Sequence, residues 1–320
     1  QFTMAYGYWS LGMAEREAVF YLYYRKAPFS GKYVLCCGLS HVIDFLQQFR
    51  FRSDDLEYLR GLQDEKGQTL FSEGFLDYLA GLHFTCDVLA VPEGELVFPH
   101  EPMLRIKGPL LQCQLLETPL INFINLSSLI ATKASRICTA ADGDDVIDFS
   151  LRRSHGPDAG LIVSRASYIG GVSSSSNTLA GKCFGLPVNG TMAHSWVMVF
   201  SDELSSFIAY AKIWPKSTVM LVDTIDTVSG VYNAIKAGKL LRESGHDLVG
   251  VRLDSGDLHA LSLQTRQILD EAGFQRTKIV ASGNLDEYQI AKLKACASPI
   301  DVWGVGTRLA TAYDQPSLDV

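Results

Sequence analysis

Four short apolar runs in the second half of the chain, at 219–222, 249–253, 278–281 and 300–303, recur about thirty residues apart. That interval is the length of one βα unit. Helical stretches at 227–244 and 258–272 lie between them, each with a glycine close after its end, where a left-handed residue closes a helix. Two further runs, 146–149 and 186–189, precede the series. Strands apolar on both faces imply parallel pairing with both sides covered, which leaves a barrel or an open doubly wound sheet. Polar or glycine residues close each run: Arg152-Arg153, Gly190-Thr191 with His194, Asp223 and Asp226, Arg252 and Asp254, Ser282-Gly283-Asn284, and Gly304 with Gly306-Thr307. In a barrel these ends converge on one mouth, whereas an open sheet spreads them along an edge. The barrel is the expected architecture.

The first part of the chain is patterned differently. An aromatic strand at 18–24 is followed by helical spacing at 37–49 and 70–82, with Ser53-Asp54-Asp55 suited to cap a short helix between them. A strand-rich section at 85–108 carries the turns Pro92-Glu93-Gly94 and Pro99-His100-Glu101-Pro102, and a long apolar helix follows at 110–140. The fold class is therefore α/β, with an N-terminal α+β domain on an antiparallel sheet over 1–143 and a barrel domain over 144–320.

A net charge of −7 argues against a non-specific nucleic-acid binder. The seven cysteines include no CxxC pair, so zinc and thioredoxin motifs are not indicated, and reduced thiols in the cytoplasm are the simplest account. The stretch 115–131 is interrupted by Glu117, Asn122 and Asn125, and reads as too polar to span a membrane. No signal peptide opens the chain, and both ends break off abruptly, as if trimmed.

Cationic and glycine-bearing strand ends around one mouth suit an anionic, phosphorylated ligand. The 304–307 segment GVGT presents backbone N–H groups and the Thr307 hydroxyl at a helix start. In the SGN turn, Asn284 reads either as part of a second phosphate turn or as a helix cap followed by acidic residues. Arg252 and Asp254 fall on one side of an extended RLDSGD, fit to clamp an anion or to form a structural ion pair. Arg152 and Arg153 are adjacent, so in an extended chain only one enters the mouth. His194 follows the GT turn and is the one side chain there that titrates near neutrality; the competing reading is a core histidine beside Trp196. The run SSSSN at 173–177 reads as a helix cap or a loop.

FTMAYGYW, LLETPL, RRSHGPDAG, SNTLAGKCFGLPVNGTMAHSW, LVDTIDT, VRLDSGDL and DVWGVGT, in this order, resemble the nicotinate phosphoribosyltransferases over nearly the whole chain. The resemblance implies an irregular α/β barrel with an α+β domain, and dimers that share active sites. It implies synthesis of nicotinate mononucleotide and pyrophosphate from nicotinate and phosphoribosyl pyrophosphate, with Mg²⁺ and with ATP hydrolysed through a phosphohistidine. By motif, His194 is the phosphorylated residue, Thr191 and Arg252 contact nicotinate, Arg252 and Asp254 serve catalysis, and Thr307 holds the phosphoribosyl group. Arg152, Arg153, Gly283, Asn284 and Gly306 fall in the segments around the phosphates, and no metal ligands are assigned. Three departures stand out: the family's DLYQ start, with its stacking tyrosine, is absent; its SND turn reads SGN; and its GGVYKL continuation is missing after Leu318. The alternatives are a nicotinamide- or quinolinate-using relative, or a non-catalytic phosphosugar-binding barrel. The nicotinamide-using relatives carry an aspartate directly after GT, where this chain has Met192.

Overall fold

The computed structural model describes residues 1–320 and divides into two compact units, Gln1–Leu129 with Ser317–Val320, and Ile130–Pro316. The pattern change in the sequence falls at 143/144, but the units part inside one continuous helix, Leu110–Ala141, and the last four residues belong with the first unit. That helix is long and apolar enough to cross a membrane by length and composition, yet 56% of its most apolar window is buried, as in the core helix of a folded protein.

In the first unit, strands β1 (Glu17–Leu22), β3 (Asp87–Ala90) and β5 (Leu104–Pro109) form an antiparallel sheet in the order β1-β5-β3. Phe20 and Val88 both lie opposite Ile106 of the central strand, which is buried. Strands β2 (Val34–Leu35) and β4 (Leu96–Val97) form a separate pair. The opening helix, Phe2–Ser10, places Phe2, Tyr6 and Trp9 on one face by its 3.6-residue period. Those rings pack on Phe71 and Phe75, with Tyr6 and Phe75 centroids 5.1 Å apart. Ser53 begins the helix Ser53–Gly61, but Asp55 ties its start, accepting the Arg52 backbone N–H at 2.9 Å. The C-terminal tail is held within this unit by Leu318 N–H donating to Asn125 Oδ1 at 2.7 Å.

The second unit carries a six-stranded parallel sheet: β6 (Asp145–Asp148), β7 (Ser174–Ser175), β8 (Val219–Leu221), β9 (Gly250–Leu253), β10 (Lys278–Ser282) and β11 (Val302–Val305), in the order β7-β6-β11-β10-β9-β8. The sheet curls on itself, since one internal cavity of about 350 Å³ is lined from all six strands, among them Ile147, Ser174, Val219, Gly250, Val280 and Val302. No ladder joins β7 to β8, so the barrel is irregular on that side. Aspartates cap the helices between strands: Asp226 accepts from Ser229 N–H, Asp257 from His259 and Ala260, and Asp286 from Gln289. Gly245 and Gly273 follow two of these helices with φ of 80° and 83°.

Several sequence expectations are corrected here. The 186–189 run forms no strand: Pro187 has no N–H to give a ladder, and only Val188 makes an isolated bridge with Ser175. The adjoining strand comes instead from the serine run, in which Asn177 also caps the helix Thr178–Phe184. Serine is tolerated there because its hydroxyls serve a buried acid, Ser175 Oγ donating to Asp148 Oδ2 at 2.7 Å and Ser164 Oγ at 3.0 Å. Asn284 is not a cap; Asp286 does that work, and Asn284 sits left-handed at φ 51°. Gly304 lies inside β11, where a Cβ would come within 2.7 Å of the Phe149 ring.

Candidate active site

Two adjoining cavities open at the C-terminal ends of the barrel strands, and Phe149, Arg152, Arg252 and Asp254 line both. One, of about 360 Å³, is completed by Thr191, Met192 and His194. The other, of about 220 Å³, is completed by Arg153, Ser282, Gly283, Asn284, Gly306 and Thr307. All the candidate site residues of the sequence therefore border one or the other. A larger cavity of about 800 Å³ lies in the first unit, but Phe45, Phe49, Phe51 and Tyr58 dominate its wall, and the carboxylates that border it, Asp54 and Asp55, are paired with Arg52.

Arg252 is the best-anchored side chain of the site. Its position in β9 sends it inward, where Nε donates to Ser282 Oγ at 2.8 Å, Nη1 to Thr191 Oγ1 at 2.9 Å and Nη2 to Asp254 Oδ1 at 2.7 Å. The Phe149 ring lies 5.1 Å from the guanidinium carbon. Three of the five guanidinium N–H groups are thus used, leaving one on Nη1 and one on Nη2 for an anion. Thr191 donates its own proton to the Met192 carbonyl at 3.2 Å, so it steadies the arginine from the acceptor side.

Asp254 sits between the arginine and the histidine. Burial pushes its carboxyl up, but the Arg252 charge, hydrogen bonds from Ser282 and Arg252, and His194 together hold it below the usual carboxylate range. Its backbone N–H donates to Asp223 Oδ2 at 3.0 Å, which also receives Ser255 Oγ at 2.6 Å. The other Asp223 oxygen is buried with no hydrogen-bond partner.

His194 opens a short helix, His194–Met198, with a half-exposed ring rather than a core position. Nδ1 lies 3.1 Å from Thr224 Oγ1 and Nε2 lies 3.6 Å from Asp254 Oδ2. Both Arg152 and Arg153 line the smaller cavity, because they sit in a 3₁₀ turn (Leu151–Arg153) whose tighter winding does not alternate sides as a strand does. Neither guanidinium is engaged in a hydrogen bond or ion pair, and both residues are exposed. Gly283 has φ 100°, and a Cβ there would run into the Asp254 carbonyl oxygen, so the turn requires glycine twice over. Sequence reasoning did not single out Phe149, which follows the last residue of β6, or Thr224, which follows Asp223. An aromatic residue directly after a strand among polar strand ends was the available signal for the first.

Residues 1–125 match the model of the nicotinate phosphoribosyltransferase (NAPRTase) N-terminal domain. The chain is 47% identical over 318 residues to a nicotinate phosphoribosyltransferase of Mycobacterium tuberculosis, covering 99% of this chain and 67% of the relative. It is also 47% identical to the Bacillus subtilis nicotinate phosphoribosyltransferase, covering 99% and 64%. The chain thus spans about two thirds of the length of these curated relatives. Among solved structures, human nicotinic acid phosphoribosyltransferase superposes with a TM-score of 0.87 at 35% identity, over 95% of this chain and 71% of that one. A nicotinate-nucleotide pyrophosphorylase from Pyrococcus furiosus, at 24% identity and a TM-score of 0.77, shares the fold, over 99% of this chain and 71% of that one.

Proposed function

The chain belongs to the nicotinate phosphoribosyltransferase family, and from that premise we propose that it joins nicotinate to phosphoribosyl pyrophosphate, forming nicotinate mononucleotide and pyrophosphate for NAD biosynthesis. The observation that carries this reading is the arginine common to two cavities. The two spare N–H groups of Arg252 match a carboxylate in the larger cavity. The unpaired Arg152 and Arg153, with the Gly283-Asn284 and Gly306-Thr307 turns, match phosphates in the smaller one.

In the transfer, the nicotinate ring nitrogen bonds to the anomeric carbon as the bond to pyrophosphate breaks, and the electron pair leaves on the pyrophosphate oxygen. Such a step requires little covalent help; it requires two substrates held in register and cations where negative charge accumulates. Arg252 orients the base, and Arg152 and Arg153 face the leaving group. A carboxylate oxygen with no partner suits Mg²⁺, which prefers hard oxygen ligands shared with substrate phosphates. Asp223 and Asp254 are the residues that would hold it, and the ion would neutralise pyrophosphate charge.

His194 is the proposed acceptor of a phosphoryl group from ATP. With the ring proton on Nδ1 and donated to Thr224, the Nε2 lone pair is free to bond to phosphorus as the bond to ADP breaks. The product adds about −1.5 to −2 charges beside the mouth. Next to Asp254 that charge is repulsive, so it strengthens the demand for a bound cation such as Mg²⁺ beside the mouth and couples ATP to binding of the phosphorylated substrate that shares the cation. Assembly as a homodimer with shared active sites, in the cytoplasm and without nucleic-acid or membrane partners, completes the proposal; the acidic net charge of −7 supports the lack of a non-specific nucleic-acid partner.

The full-length protein supplied with nicotinate and phosphoribosyl pyrophosphate is expected to release nicotinate mononucleotide and pyrophosphate in equal amounts. With γ-labelled ATP it is expected to take up an acid-labile, base-stable label. Binding without product would return the chain to a phosphosugar-binding role, and a label that persists in His194→Ala would remove the histidine from the scheme.

A further inference from the structure

The two phosphate-facing turns follow neighbouring strands, and the ladder between β10 and β11 ends at the pair Ser282 and Gly304. Past that rung, both turns leave the sheet in conformations that the sheet does not hold. Gly283 and Asn284 are both left-handed, at φ 100° and 51°, and Gly306 has φ −136° with ψ −106°. A single buried carboxylate spans the gap. Asp286, 3% exposed, accepts the Gln289 backbone N–H on Oδ1 at 2.8 Å and pairs through Oδ2 with Arg308 Nη1. Thr307 lines the smaller cavity, while Arg308 turns away from it toward Asp286 and lies over the Tyr313 ring, 4.8 Å from its centroid.

The neighbouring residue reinforces the hold. Glu287 is buried and forms ion pairs with Lys133 at 2.8 Å and Arg136 at 2.9 Å, and Lys133 also reaches Asp314 at 2.7 Å. The helix that starts at Glu287 is thereby pinned at its N-terminus, so Asp286 is a fixed post and Arg308 is tied to it. Arg308 is the basic residue immediately after Thr307, but its charge is spent on the protein, and the charge offered to phosphate comes from Arg152 and Arg153.

We propose that Asp286 and Arg308 are positioning residues for the phosphoribosyl group, their ion pair setting the separation of the Gly283-Asn284 and Gly306-Thr307 turns. The proposal rests on the phosphoribosyltransferase reading above. A displacement of about an ångström between groups that jointly hold a phosphate weakens the hold steeply. The effect should therefore fall on one substrate and leave the other.

The test is the kinetics and melting temperature of the full-length protein as wild type, Asp286→Asn, Arg308→Gln, Arg308→Lys and the Asp286→Asn/Arg308→Gln double variant. Asparagine keeps the cap acceptor, so the helix start is preserved and the pair alone is weakened. Expected are a KM for phosphoribosyl pyrophosphate raised about tenfold in Asp286→Asn, a nicotinate KM within about twofold of wild type, and a smaller rise in Arg308→Lys, which keeps a charge. The double variant should be no worse than Asp286→Asn by more than about twofold, as for two ends of one interaction. An unchanged KM for phosphoribosyl pyrophosphate in Asp286→Asn overturns the proposal. So does a rise in both KM values together with a fall in melting temperature, the mark of a merely structural pair. Wild-type protein that binds no phosphoribosyl pyrophosphate by calorimetry overturns the functional reading itself, and this proposal with it.

Discussion

Arg252 shows how much a site can depend on one side chain being held rather than merely present. Ser282, Thr191 and Asp254 use three of its donors, and their directions decide where the remaining two point. Removing a buried charge-assisted contact of this kind costs on the order of 2–3 kcal/mol, or roughly thirty- to more than a hundredfold in affinity. Arg252→Ala is therefore expected to lower kcat/KM for nicotinate by that factor, measured at saturating phosphoribosyl pyrophosphate; a change under about threefold would contradict the assignment. Asp254 gives the pair a pH signature. Its carboxyl is held below the usual range, so its stabilising contribution is present above the unfolded value of about 3.9 and is lost as pH falls through the lower folded value. Thermal melts of Asp254→Asn against wild type should then show a constant deficit between about pH 5 and 8, shrinking below about pH 4. A deficit that grew on acidification would reverse the sign and remove the ion pair from the account.

At the scale of elements, strand ends were legible because parallel strands buried on both faces leave apolar runs, and those runs stop where the mouth begins. Asp226 and Asp257 stand one residue before the helices that the pattern starts at 227 and 258, so local hydrogen bonding wrote those boundaries into the sequence, whereas Asn284, an equally good capping side chain two residues earlier, hid the cap at Asp286. Strand β7 was not legible, since Ser174 and Ser175 are buried by a polar network around Asp148 and no hydrophobic period marks them. Gly304 escaped for a related reason: its role is the space it leaves for Phe149, a contact that exists only once the strands are paired. Close approach governs another glycine as well. Gly230 lies in the helix Thr227–Glu243, and a Cβ there would fall on the carbonyl oxygen of Val222, the residue that follows β8. Alanine gains up to about 1 kcal/mol in helix propensity over glycine, but forcing helix and strand apart costs on the order of 1–3 kcal/mol. Gly230→Ala should lower the melting temperature by several degrees, whereas a rise would mean that the helix shifts freely.

On the scale of the whole molecule, the barrel's role is to bring residues from Arg152 to Thr307 around one mouth, across strands that are far apart in the chain. Family membership at 47% identity agrees with that arrangement, and the choice of base rests on the larger cavity. Met192, buried in its wall, carries no charge and accepts no strong hydrogen bond, while Arg252 presents cationic donors nearby. A carboxylate is favoured there over a carboxamide, and an aspartate at 192 would repel it. The measurement that bears most directly on this is the ratio of kcat/KM for nicotinate to that for nicotinamide, taken on the full-length protein with phosphoribosyl pyrophosphate and ATP. A ratio of about thirtyfold or more in favour of nicotinate is predicted, matching the loss of one charge-assisted contact; a ratio that favours nicotinamide would contradict both the substrate and the role of Arg252.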